Sequence, residues 1–320
     1  MLRSMSDYTD LRLEDIKTIP LNERPTKVKI GDVSGEYKVG GSFREFIDIL
    51  PRQFGGADFH KAVDSVVHSI QNNRPVIWGI GAHVIKNGLS PLIIQLIKRD
   101  CISAILLNGA GLIHDFELGF VGATSEDVGS RLSDGDFGMG KETAQILNHA
   151  IINGDKDGLG IGESVKRGFG NIDLKFKEQS LIWNAAKSDI PLFVVAAIGT
   201  DTIHFHPSVE PGALGRGLHR DALQFSRVVA NLEGGVFLNI GSAVLMPELF
   251  LKAVTLSRNL GYKLNNFTTI NLDFMRQYRP ETNVVDRPTR NGGVGISLIG
   301  QHELLLPMFI ASILEKRSKG

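Results

Sequence analysis

The side chains of this chain that could do chemistry collect in short polar segments that follow apolar runs. Residues 200–207 (TDTIHFHP) form one such segment and include Asp201, His204 and His206. Two histidines at i and i+2 point to the same side of an extended backbone, a spacing that suits a metal ion. Histidines in a polar cleft also serve simply as hydrogen-bonding groups, and the chain has no H-E-x-x-H motif. A metal-dependent hydrolase built on these three residues is therefore an alternative and not the leading prediction.

Two glycine turns must position these groups. Apolar runs at 75–78 and 102–107 predict buried strands, and each run leads into a turn, at 79–83 and 108–111. Parallel strands that end in glycine turns place backbone N–H groups at the carboxyl edge of a sheet, where open α/β sheets bind nucleotides. The dinucleotide fingerprint G-x-G-x-x-G is incomplete, because Val84 takes the third glycine position. Glycine at a strand–helix turn can also serve geometry alone.

Alternating strand and helix patterns continue to the end of the chain. Further strands are predicted at 192–197, 236–240, 267–272 and 294–298, with helical patterns between them. This alternation predicts an α/β protein with a Rossmann-like, open, mostly parallel sheet and helices on both faces. Residues 1–40 are polar and lack apolar periodicity, which indicates an extended N-terminal arm. Residues 41–320 are then expected to form one domain.

The composition argues against several classes of protein. The 35 basic and 35 acidic residues balance, so nothing favours binding to nucleic acid or to an anionic membrane. No apolar run reaches the roughly 18 residues of a membrane span, and the first residues do not resemble a signal peptide. Cys101 is the only cysteine, which rules out an internal disulfide and a cysteine-rich zinc site. We expect a soluble cytoplasmic protein.

The order of the motifs resembles the deoxyhypusine synthase family. The matching segments are 81–88, then 108–111 followed by His114 and Asp115, then 199–201, 235–248, 269–273 and 303–310. A weaker match at 42–66 comes first, so the resemblance runs over roughly residues 42–314. It implies a deoxyhypusine synthase-like fold and a homotetramer built as a dimer of dimers.

The resemblance also implies an NAD cofactor and a small amine or polyamine substrate. The positions that match the family's cofactor turns are Gly81, Ala82, His83, Asn108, Gly109, Ala110, Gly111, Asp201, Asn239, Gly241, Ser242, Asn271 and Asp273.

Three further residues are candidates for catalysis. Asp115 lies close to the position of an acidic substrate-binding residue in the family, although an acid in the first turn of a helix is also stabilised by the helix dipole. His206 lies near the position of another acidic residue that holds the polyamine in the family. Glu303 opens the last predicted helix, where it could equally be a helix cap.

The sequence departs from the family at its decisive lysine, which forms an imine with the aminobutyl group. Residues 280–290 contain no Trp, Gly or Lys. Arg287 and Arg290 could enter the cleft from a loop, but a guanidinium stays protonated and cannot replace the lysine. We therefore predict an NAD-binding protein that acts on a small amine or polyamine, by amine dehydrogenation or a reaction related to aminobutyl transfer, without a lysine imine. The alternatives are a non-catalytic binding protein of the same fold and the hydrolase described above.

Overall fold

Six strands form one fully parallel sheet. The computed structural model describes residues 4–5 and 8–318. The strands are β1 (Val76–Ile80), β2 (Ala104–Asn108), β3 (Leu192–Val195), β4 (Val236–Ile240), β5 (Thr268–Asp273) and β6 (Val294–Ile299). They lie in the order β3-β2-β1-β4-β5-β6, and all five neighbouring pairs are parallel. The predicted Rossmann-like fold is confirmed, and the strand order reverses between β1 and β4.

Thirteen α-helical segments connect and flank the strands in the described chain. They are α1 (Phe43–Asp48), α2 (Phe54–Gln71), α3 (Ala82–Lys86), α4 (Ser90–Ile97), α5 (Gly109–Val121), α6 (Val128–Leu132), α7 (Lys141–Lys156), α8 (Ile161–Phe169), α9 (Leu181–Lys187), α10 (Pro211–Val229), α11 (Leu245–Asn259), α12 (Tyr278–Pro280) and α13 (His302–Arg317).

The sheet is buried on both faces, which explains why its strands read as unbroken apolar runs. Alternate strand residues point to opposite faces. Trp78 and Ile80 of β1 belong to one apolar core, together with residues of α2, α4, α5 and α13. Ile77 belongs to a second core with Phe225 of α10 and Phe250 of α11. Both layers are therefore in place, and they hold the carboxyl edge of the sheet rigidly.

Three segments have local structure that the strand and helix patterns do not specify. Residues 84–97 belong to two helices, α3 and α4, because Gly88 has a left-handed φ of +77° that ends α3. The glycine-rich stretch at 153–170 contains α8. Residues 278–289, which include Arg287, are helical throughout and contain a π-helical stretch at Glu281–Asp286.

The first part of the described chain forms little regular structure. It contains short 3-10 turns at Leu13–Asp15, Leu21–Glu23 and Ile30–Asp32, none of which has a buried residue. Across the residues that the structure describes, no helix is both long enough and apolar enough to cross a membrane.

Candidate functional site

The carboxyl ends of β1 and β4 meet where the strand order of the sheet reverses, a place that we call the switch point. The Gly81 N–H donates to the Ile240 carbonyl at 2.8 Å, and the Gly241 N–H donates to the Leu272 carbonyl at 3.0 Å. Gly81 precedes α3, so Ala82 and His83 begin that short helix beside the crevice. In open α/β sheets, ligands bind in the crevice at such a point.

The glycines of these turns are required by contacts within the protein. A Cβ on Gly81 would lie 2.1 Å from the Gly241 carbonyl oxygen, and one on Gly241, whose φ is +65°, would lie 3.1 Å from Nε2 of His302. A Cβ on Gly109 would lie 1.9 Å from a carboxylate oxygen of Asp201. A Cβ on Gly111 would lie 2.9 Å from Oδ1 of Asn108. Neighbouring protein atoms thus explain the glycine at each of these positions.

A cluster of buried polar groups fills the floor of the switch point. His302, at the start of α13, is 1% exposed, and neither of its ring nitrogens has a hydrogen-bond partner among the residues that the structure describes. Its Nε2 lies 4.0 Å from a carboxylate oxygen of Asp273, and its ring packs edge-on against His83 with 5.4 Å between centroids. Burial lowers the pKa of His302, and the Asp273 carboxylate opposes that shift. Burial also raises the pKa of Asp273, so both groups favour their neutral forms.

Amide side chains continue this cluster along β4 and β5. Asn239 and Asn271 are register partners, and the Asn239 amide donates to Oδ1 of Asn271 at 2.8 Å and to the Ser242 carbonyl at 2.9 Å. Oδ1 of Asn239 and Nδ2 of Asn271 are buried without a partner. Such orphaned polar atoms are costly unless a ligand or water satisfies them.

The second half of the sheet edge is built around the start of α5. Oδ1 of Asn108 accepts from the Gly111 N–H at 3.0 Å, so Asn108 caps the helix. Asp201, which follows β3, packs directly on Gly109. Burial raises the pKa of Asp201 to about 6. A carboxyl group of the protein therefore lies beside the N-terminus of α5.

A large cavity opens beside this carboxyl group. Its volume is about 980 Å³, and it lies between α3, α5, the segment that leads into α7, and the loop after β3. Its titratable lining residues are Lys86, His114, Glu117, Glu126, Glu142 and Asp201, while Ala110, Ile113, Phe120 and Phe137 contribute apolar surface. We call this the acidic cavity.

The negative charge of the acidic cavity is only partly balanced by Lys86 among the described residues. Among the described residues, Glu117, Glu126 and Glu142 form no ion pair within 4.0 Å, and the partner of Asp201 is His204 at 3.9 Å. Thr143 and Thr124 donate hydrogen bonds to Glu117. The cavity therefore combines apolar walls with unpaired carboxylates, which suits an aliphatic cation.

The predicted catalytic residue Asp115 does not reach this cavity. It is 0% exposed and accepts hydrogen bonds from the Ser180 hydroxyl, from the Leu181 N–H at 2.6 Å and from the Ile182 N–H at 3.1 Å. It therefore caps the start of α9 from within the core. Its neighbour His114 faces the cavity instead, because successive residues of a helix point in different directions.

The predicted pairing of His204 and His206 is wrong. Residues 202–205 form a 3-10 turn and not an extended strand. Nδ1 of His204 accepts from the Gly199 N–H at 3.1 Å, whereas Nδ1 of His206 accepts from the Ser208 N–H at 3.1 Å. In the described part of the chain, no group of three or more His, Cys, Asp or Glu side chains is arranged to hold a metal ion.

The remaining predicted residues lie at the rim of the switch point or away from it. Glu303 is exposed and accepts from the Asn87 amide at 2.8 Å, which links α13 to the end of α3. Arg287 donates to Asn283 at 2.8 Å, and Arg290 pairs with Asp286 on the same helical segment. Because the segment is helical, both arginines find their partners locally and do not enter from a loop.

Comparison with known proteins places the chain by fold only. No family model matches the sequence, and no curated protein matches it. Solved structures do match. One is ArgZ, an arginine dihydrolase from the ornithine–ammonia cycle in cyanobacteria, with 15% identity and a TM-score of 0.51 over 83% of this chain and 34% of that one. A second is AgrE, solved in a ternary complex with ornithine and NAD+, with 14% identity and a TM-score of 0.53 over 82% of this chain and 34% of that one.

A third similar structure is a candidate deoxyhypusine synthase from Entamoeba histolytica. It shares 10% identity at a TM-score of 0.52, over 88% of this chain and 96% of that one. The chain thus spans about a third of the length of ArgZ and AgrE and nearly all of the length of the third protein. At identities this low, the structural similarity shows a common fold and nothing more.

Proposed function

We propose that the protein binds a small amine or polyamine in the acidic cavity and NAD at the switch point, and that it oxidises the amine without forming a lysine imine. The observation that carries the proposal is the unpaired negative charge of the acidic cavity at the carboxyl edge of a Rossmann-like sheet. The edge that collects these carboxylates is the edge at which this fold binds ligands.

The lining of the acidic cavity selects for an alkyl chain with cationic ends. Glu117, Glu126, Glu142 and Asp201 provide four carboxyl groups, against the single ammonium of Lys86 among the described lining residues. Phe120 and Phe137 cover the methylene groups of such a chain. Charge-assisted hydrogen bonds to the carboxylates are about twice as strong as neutral ones, so a diamine or polyamine uses the cavity better than a neutral ligand does.

Two observations support NAD binding at the switch point: the strand order and the orphaned polar atoms. Asn239, Asn271 and His302 leave buried donors and acceptors without partners at this place, which fits a polar ligand. The turn at Gly241 and Ser242 and the rim residue His83 would hold it. AgrE, which has a similar fold, was solved with ornithine and NAD+ together. The nicotinamide of NAD would supply a hydride acceptor, while the protein orients the amine and receives its proton.

Thermal-shift titrations of the purified protein test both halves of the proposal. A ligand at about a hundred times its Kd stabilises the folded state by about 2.7 kcal/mol, which raises Tm by a few degrees. We expect a saturable rise with spermidine or putrescine and a separate rise with NAD. Appearance of NADH in the presence of both ligands would then establish oxidation.

A matched pair of variants assigns the amine to the cavity. Glu142→Gln removes one cavity charge and should weaken the response to spermidine, whereas Glu36→Gln, at an exposed position outside the cavity, should not. Spermidine binding without NADH formation would favour the non-catalytic binding protein. If no amine raised Tm, the proposed function would be wrong.

A further inference from the structure

Hydrogen bonds in the wall of the acidic cavity determine which ring nitrogen of His114 carries the proton. Its Nδ1 lies 2.7 Å from the Thr124 hydroxyl oxygen, and the same hydroxyl contacts Glu117 at 2.5 Å. Thr143 donates to the other oxygen of Glu117 at 3.2 Å. The three side chains of His114, Thr124 and Glu117 form a short chain of hydrogen bonds along the cavity wall.

The direction of each bond in this chain follows from counting protons. A threonine hydroxyl has one proton, and an ionised carboxylate can only accept, so Thr124 must donate to Glu117. The contact between Thr124 and His114 then requires His114 to donate its Nδ1–H. In the neutral ring this leaves Nε2 unprotonated, and no described residue donates to it. Burial, followed by the positive charge of Lys86, lowers the pKa of His114, which keeps the ring neutral near pH 7.

We propose that Nε2 of His114 accepts a hydrogen bond from an N–H of the bound amine, and that Thr124 and Glu117 act as positioning residues by fixing the ring tautomer. This inference deepens the proposed function and rests on it. It adds a specificity rule, because the carboxylates attract any cation, whereas the unprotonated Nε2 requires a ligand with an N–H. Primary and secondary amines are therefore accepted, and quaternary ammonium compounds are disfavoured.

The tautomer is tested first, without any ligand. Nitrogen NMR shifts of the histidine rings distinguish the Nδ1–H from the Nε2–H form, and His114→Leu identifies the His114 signals by their loss. We expect the Nδ1–H form in the wild type, conversion to a mixture or to the Nε2–H form in Thr124→Val, and recovery in Thr124→Ser. A wild-type ring in the Nε2–H form would overturn the inference even if amines bind.

The specificity rule is tested by calorimetry with putrescine and its N-permethylated analogue, which has the same charges but no N–H. A hydrogen bond to a charged group corresponds to about tenfold or more in affinity. We expect the wild type to prefer putrescine by at least about tenfold and His114→Leu to lose most of that preference while retaining affinity from the carboxylates. Equal binding of the two ligands to the wild type would overturn the role of His114 and leave the amine site intact. Failure of both ligands to bind would instead refute the proposed function.

Discussion

Replacing Asp115 with alanine should destabilise the fold and leave the amine site intact. The carboxylate accepts from the Ser180 hydroxyl and from the N–H groups of Leu181 and Ile182, at the start of α9. Removing it leaves three buried donors without an acceptor, each of which costs about 1–3 kcal/mol. The substitution also removes a buried carboxylate. Burial raises the pKa of this group from 3.8 to about 6, so keeping it ionised at pH 7 costs the folded state about 3 kcal/mol, and its removal offsets the loss by that amount. The net loss at pH 7 is therefore about 3 kcal/mol.

The loss should also depend on pH. Because the pKa of Asp115 is raised in the folded state, the stability linked to its proton is fully present below pH 3.8 and is lost as pH rises through about 6. Asp115→Ala has no such group. The difference between wild type and variant should therefore be larger near pH 4 than at pH 7, by up to about 3 kcal/mol.

Urea unfolding at both pH values measures this difference, with exposed Asp58→Ala as the control, expected to change stability by less than about 0.5 kcal/mol. Ser180→Ala completes a double-mutant cycle, in which we expect a coupling energy above about 0.5 kcal/mol. The reasoning is refuted if Asp115→Ala is as stable as the wild type but no longer binds amines, since Asp115 would then be a ligand-binding residue.

Two further predictions concern the cavity and the packing of α8. The affinity for spermidine should rise between pH 5 and pH 7, because Asp201 ionises near pH 6 and because the pKa of His114 is lowered, so that its ring is neutral at pH 7. Calorimetry at constant ionic strength measures this change, and an affinity that does not depend on pH would contradict the prediction. Gly162→Ala should destabilise the protein by about 1–3 kcal/mol, since its Cβ would lie 1.9 Å from the Leu192 carbonyl oxygen. Gly55→Ala, in open space on α2, should stabilise it by about 0.5–1 kcal/mol in the same unfolding assay; equal effects would show that the packing argument is wrong.

The sheet could be predicted from the sequence because its strands are buried on both faces. All six apolar runs became strands, with boundaries shifted by at most about two residues, as is usual for such boundaries. The glycine-rich stretch at 153–170 is harder to interpret from the sequence, since Gly162 lies inside α8 and allows its close contact with the backbone of β3. Glycine composition alone does not separate such a contact from a loop.

The site was harder to predict, because a helix turns adjacent residues in different directions. Helical spacing places Asp115 on one stripe with Leu112 and Gly119, both of which are buried in the core. That stripe was a signal in the sequence that Asp115 caps a neighbour rather than meeting a ligand. The acidic cavity itself could not be predicted, since Glu117, Glu142 and Asp201 lie on separate segments of the sequence and come together only in the folded chain.

Calorimetry at low salt, with spermidine and with the wild type and Glu142→Gln, tests whether the acidic cavity binds the amine. One cavity carboxylate near a ligand ammonium is worth about 0.5–1.5 kcal/mol, which corresponds to roughly a twofold to tenfold change in Kd. We predict measurable binding to the wild type, a loss of affinity in that range for Glu142→Gln, and no change for Glu36→Gln. Binding that is absent from the wild type, or equal in all three proteins, would contradict this prediction.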